Sequence, residues 1–146
     1  MRWIYVFMLT FNIMFMQCST VPKMKHGGTG RELLPCPKSP NCVSSLSEDE
    51  SHYVKPLAYE VTVEKAKQKL IGVISSMKRS EIVTAEDNYL HATFVSFLFR
   101  FVDDVEFYFD DDRKIIHVRS ASRTGYSDLG VNRKRVEEIR KRFMSR

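Results

Sequence analysis

The chain has 146 residues, 43% hydrophobic and 12% aromatic, with a net charge of +5. That is enough apolar material for one cored domain. The charge is moderate and interleaved except in the basic C-terminal RKRVEEIRKRFMSR, which reads as a solvated helix face. Nucleic-acid binding calls for a stronger bias and a recognisable module, and neither is present.

At the N-terminus, Arg2 precedes an apolar run from Trp3 to Met16, broken only by Thr10 and Asn12. The run is shorter than the about 20 residues of a membrane-spanning helix and suits the apolar region of a signal peptide. Phe15-Met16-Gln17-Cys18 resembles a bacterial lipobox, in which cleavage before the cysteine leaves that residue to carry lipid. Leu is usual where Phe15 stands, and a small residue where Gln17 stands. The reading is a lipoprotein-type signal peptide over 1–17 with lipidation (palmitate) at Cys18. Plain secretion and an uncleaved anchor are the alternatives. VPKMKHGGTGRE, short of apolar residues, reads as a flexible tether, so 18–33 spaces a single domain over 34–146 from the membrane.

Three cysteines is an odd number for an exported chain, and lipidation of Cys18 leaves Cys36 and Cys42. They lie six apart in LLPCPKSPNCVSS, where two prolines bend the chain, so a small disulfide loop is sterically reasonable in an oxidising compartment. Two free thiols, or a metal or nucleophilic role, are the competing readings. The spacing is not that of a zinc knuckle.

Within the domain, Thr62 is placed to cap a helix from Val63 to about Met77, with Val63, Ala66, Leu70, Val73, Ile74 and Met77 on one face. Ile82-Val83-Thr84 reads as a short strand and Tyr89 to Phe97 as a longer one. Arg100 to Asp110 alternates Val105, Phe107 and Phe109 with Asp104, Glu106 and Tyr108. Asp111-Asp112-Arg113 turns the chain, and Lys114 to Ser120 returns as the partner strand. The last helix, from Asn132 to about Phe143, buries Val136, Ile139 and Phe143. Short connections make the strands antiparallel neighbours. The expected fold is α+β: an antiparallel sheet of about four strands with two amphipathic helices packed on it.

CPKSPNCVSS, RFVDDVEFYFD and IHVRSASRTGYSDLGVNRKRVEEIRKRF resemble, in the same order, the blocks of a bacterial family catalogued as domain of unknown function 1499. The resemblance covers about Leu34 to Phe143. It implies an exported or lipid-anchored protein of the cell envelope, facing the periplasm or exterior, and it brings no established activity.

The densest polar stretch is HVRSASRTGYSDLGVNR, from His117 to Arg133. Arg119, Ser120, Ser122, Arg123, Tyr126, Asp128 and Asn132 form the candidate ligand-binding set. The arginines would hold an anion at the start of the last helix, where free amides and partial positive charge favour one. Ser120, Ser122, Tyr126 and Asn132 would orient it, and Asp128 would position the arginines. The competing reading pairs these arginines with Asp103, Asp104 and Asp128, and sets His117 and Arg119 against the Asp104, Glu106, Tyr108 face.

Catalytic signals are weaker. Ser122, His117 and Asp104 make a triad on paper, without a GxSxG elbow. Cys42 with His91 or His117 needs a reduced thiol. Adjacent Asp103 and Asp104 point to opposite faces of a strand. His26 lies in the tether and His52 in a loop; no metal set, phosphate loop or cofactor is indicated. The sequence therefore suggests an envelope binding or interaction module, held at the membrane by its lipid and meeting an anionic small molecule or an envelope protein. An envelope hydrolase or thiol enzyme is one alternative, and a structural accessory subunit the other.

Overall fold

The computed structural model describes residues 33–145. The expected signal peptide, Cys18 and all but the last residue of the expected tether lie outside the described residues.

The elements are β1 (Cys42–Ser44), β2 (Leu57–Ala58), α1 (Val63–Ser75), β3 (Ser80–Glu86), β4 (Tyr89–Val95), β5 (Val102–Asp110), β6 (Ile115–Ser122) and α2 (Val131–Met144). The fold is α+β, with an antiparallel sheet and two helices. The sheet has six strands rather than about four, in the order β1-β6-β5-β4-β3, with β2 also paired to β6. The two additional strands are short. β1 aligns Cys42 with Ala121, and β2 aligns Leu57 with Ile116, so they share one edge of β6.

Strand alternation decides where the helices pack. Leu90, Ala92 and Phe94 of β4, Val105, Phe107 and Phe109 of β5, and Ile116 and Val118 of β6 share one face and are all buried. Against them α1 turns Ala66, Leu70 and Ile74, and α2 turns Val136, Ile139 and Phe143. The Thr62 hydroxyl accepts from the Lys65 amide at the start of α1, satisfying an amide that has no partner within the helix. α1 ends at Ser75, short of Met77, because the Ser80 hydroxyl takes the Ile74 and Met77 carbonyls and turns the chain into β3.

Two strands are shorter than their apolar runs suggest. β4 stops at Val95 and β5 begins at Val102, so Phe97 to Phe101 form the hairpin tip instead of extending the ladder. The tip is closed by the Ser96 amide donating to the Phe101 carbonyl (2.8 Å) and the Phe101 amide donating to the Ser96 hydroxyl (2.9 Å). Arg100 has φ 56, the left-handed region uncommon for a side-chain-bearing residue.

Candidate functional site

β6 carries the polar stretch, and its alternation divides that stretch. Ser120 lies opposite Val105 and Ser122 opposite Asp103, on the helix side. Arg119 lies opposite Glu106 and His117 opposite Tyr108, on the other side. The seven candidate residues therefore form two networks and an exposed loop.

On the helix side the centre is Asn132, fully buried in the first turn of α2. Its carbonyl oxygen accepts from the Ser120 hydroxyl (2.6 Å) and from Arg135 (2.6 Å). Its amide donates to the Ser122 hydroxyl (2.9 Å) and to the Asn41 carbonyl (3.1 Å). Arg135 continues to the Asp103 carboxylate at 2.5 Å, and its guanidinium lies over the Phe94 ring. The Asn41 side-chain amide donates to the Gly125 carbonyl (2.6 Å), which brings the cysteine loop beside the polar loop.

On the other face, Arg123 grips Asp104 with two hydrogen bonds of 2.8 Å, and His91 Nε2 donates to the same carboxylate at 2.7 Å. Burial alone would raise the Asp104 pKa. The hydrogen bonds from Arg123 and His91, with their charge, outweigh it and hold the carboxyl at about 2. Glu106 accepts from Arg119 (3.0 Å) and from the Tyr89 hydroxyl (2.9 Å). Both arginines are thus engaged, with 13% and 35% of the Arg119 and Arg123 side chains exposed. An anion bound to them would displace Glu106 and Asp104.

Asp103 and Asp104 do face opposite sides. Arg123 takes Asp104 and Arg119 meets Glu106, as the competing reading has it, whereas Asp103 takes Arg135 instead of either of them. Asp128 does not reach an arginine. It accepts from the Gly130 amide (2.9 Å) and the Asn132 amide (2.7 Å), satisfying the start of α2, where Gly130 brings no side chain. α2 begins at Val131, one residue before the expected Asn132. Tyr126 is 76% exposed in the loop.

The paper triad does not assemble, because Ser122 and His117 lie on opposite faces of β6. His117 Nδ1 instead lies 3.2 Å from the Ser45 hydroxyl, and Nε2 lies 4.0 Å from Asp110. Burial, then the Arg113 charge, lowers the His117 pKa against a smaller upward pull from Asp110. The Ser45 hydroxyl also accepts from the Val118 amide (2.9 Å), and both residues are buried. Among the described residues, His117 Nε2 and Arg119 Nε have no hydrogen-bond partner. This arrangement locks the segment after β1 onto β6. Nothing in the sequence marked Ser45, since the pairing depends on the unforeseen strand β1.

Cys36 and Cys42 form a disulfide, with Cα atoms 5.6 Å apart, so neither is a free thiol. An open cleft of about 360 Å³ lies over it, bounded by Pro35, Lys38, Leu46, Asp49 and His52. The His52 ring is buried with Nδ1 2.8 Å from the Cys42 carbonyl. No cluster of three or more metal-ligating side chains occurs among the described residues, and none of their helices is long and apolar enough to cross a membrane.

The most exposed apolar side chains gather at one end of the sheet. Phe97, Leu98, Phe99 and Phe101 at the β4–β5 tip are 78%, 73%, 68% and 48% exposed, and Phe99 stacks on Phe101. Leu129 and Tyr126 stand out from the loop after β6 at the same end, where the Arg123 amide donates to the Val102 carbonyl.

No curated protein matches the chain. The sequence model of one family, described as protein of unknown function (DUF1499), matches residues 32–143, which spans the sheet, both networks and nearly all of α2. The chain belongs to the DUF1499 family.

Proposed function

We propose that the protein is a non-catalytic binding module of the bacterial cell envelope, lipid-anchored through Cys18, that works through the apolar end of its sheet. The observation that carries this reading is the contrast between that end and the polar stretch. Arg119 and Arg123 are held by Glu106 and Asp104, and the buried Asn132 amide by Arg135, whereas four large apolar side chains crowd the β4–β5 tip in solvent. Scattered exposed apolar residues are ordinary, but a contiguous exposed patch marks an interaction site. A hydrolase built on Ser122, His117 and Asp104 is disfavoured because Ser122 and His117 lie on opposite faces of β6, and a thiol enzyme is disfavoured by the disulfide.

The reading is tested by placing a photo-crosslinking amino acid at Leu98, and at Asp112 in the turn at the opposite end of the sheet, in the full-length protein in cells. Adducts of any kind should form at position 98 and not at 112. Equal yields at both positions would refute it.

A further inference from the structure

We infer that the β4–β5 tip docks into a lipid bilayer surface bearing anionic headgroups, with the domain standing on that end. This rests on the binding-module reading and names its partner. Three independent observations converge.

The first is the chemistry of the tip. In S-F-L-F-R-F, the positions where a hairpin in water places turn-forming polar residues carry three phenylalanines and a leucine. The hairpin is closed at its base by the Ser96–Phe101 hydrogen bonds and holds Phe97, Leu98 and Phe99 mostly exposed beyond them. Phe and Leu side chains flanked by basic residues bury at the boundary between headgroups and acyl chains when they meet a bilayer.

The second is charge. Lys78, Arg79 and Arg100 surround the tip, and none of them forms an ion pair among the described residues. Arg79 donates from Nε to the Val95 carbonyl (3.0 Å) and rests its guanidinium over the Phe97 ring, 5.4 Å from the centroid. Of the nearby acids, Asp103 and Asp104 are held by Arg135 and Arg123, and Asp128 by backbone amides, leaving Glu81 on β3. The surface around the rings is therefore cationic, which suits a layer of phosphate headgroups.

The third is where the chain comes from. Cys36 is tied to Cys42, and Cys42 aligns with Ala121 near the end of β6, so the N-terminal segment joins the domain at the tip end of the sheet. From Cys18 to Leu33 is fifteen residues, which reach at most about 50 Å. An anchor at Cys18 would hold the tip within that distance of the bilayer, and such a tether lets a contact of modest affinity engage. The lipid would confine the protein, and the tip would fix its orientation.

Trp3 is the sole tryptophan, so a Trp3→Phe background allows a single reporter to be placed at will. The full chain carrying Leu98→Trp or, separately, Phe99→Trp is reconstituted in vesicles of phosphatidylglycerol and phosphatidylcholine. Tryptophan emission should shift to the blue and be quenched by bromine on the acyl chains. An Asp112→Trp control should show neither effect. Adding Arg79→Ala and Arg100→Ala should lower the partitioning of the tip about 25-fold, at about fivefold per basic side chain. Quenching at 98 and 99 no greater than at 112 overturns the inference, and equal quenching in phosphatidylcholine alone overturns its anionic part. Crosslinks from Leu98 to a protein, to a second copy or to the segment 1–17, with unquenched tryptophan, would overturn the bilayer as partner and leave the binding-module reading standing. Absence of crosslinks at Leu98 would remove that reading too.

Discussion

The Asp104 carboxylate should make the domain acid-sensitive by an amount that follows from its surroundings. Its pKa falls from 3.8 to about 2 in the folded protein, because Arg123 and His91 bind the charged form more strongly than burial opposes it. A depressed pKa means that the unfolded chain takes up the proton first. The stabilisation is then complete above about pH 4 and is lost as the pH falls through about 2. At about 1.4 kcal/mol per pH unit, the shift corresponds to about 2 kcal/mol. The side chain is only 10% exposed, so solvent screens this little. Urea unfolding midpoints measured from pH 7 to pH 2 on the wild type and on Asp104→Asn isolate the contribution, since other lowered carboxyls such as Asp110 and Asp111 remain in both proteins. The variant should lose about 3 kcal/mol at pH 7, where Arg123 is left without that carboxylate charge. Its stability should fall less steeply than the wild type's below pH 4. Parallel curves for the two proteins would refute the assignment.

Two further expectations concern how the polar stretch is held. Asn132→Ala removes four hydrogen bonds within one buried site and leaves the Asn41 carbonyl with the Ser122 amide as its remaining donor, so the urea midpoint should fall by the equivalent of about 4 kcal/mol with an unchanged slope. A loss below about 1 kcal/mol would mean that water replaces the amide. Reduction of the Cys36–Cys42 bridge, which closes a loop with a sequence separation of 6, should cost about 2 kcal/mol by chain entropy. Thiol labelling of these two residues should occur only after reduction; prompt labelling of the native protein would contradict the bridge.

The parts of the fold visible in the sequence were those with room for a period. β5 alternates over nine residues and α1 repeats over thirteen, so both could be read from spacing. β1 and β2, three and two residues long, are too short to show alternation and exist because β6 offers them an edge. The pairing of Arg135 with Asp103 spans 32 residues of sequence and looks like an ordinary charge on a wet helix. Strand parity could have separated Arg119 from Ser120 and Ser122, because adjacent residues of a strand never share a face. The hairpin tip also left a trace. From Phe97 to Phe101, apolar residues occupy both parities, which breaks the pattern a half-buried strand must keep.

The edges of the sheet bear on how the domain behaves at high local density. A long, flat strand with unpaired amides recruits a neighbouring chain, and crowding would favour that growth. Here β6 is screened by two short strands in tandem, one at either end of its length. At the opposite margin, β3 has a register shift between Ile82 and Thr84 and carries Glu81 and Glu86. Neither margin offers a straight template, so copies brought to high local density would not zip into a continuous sheet.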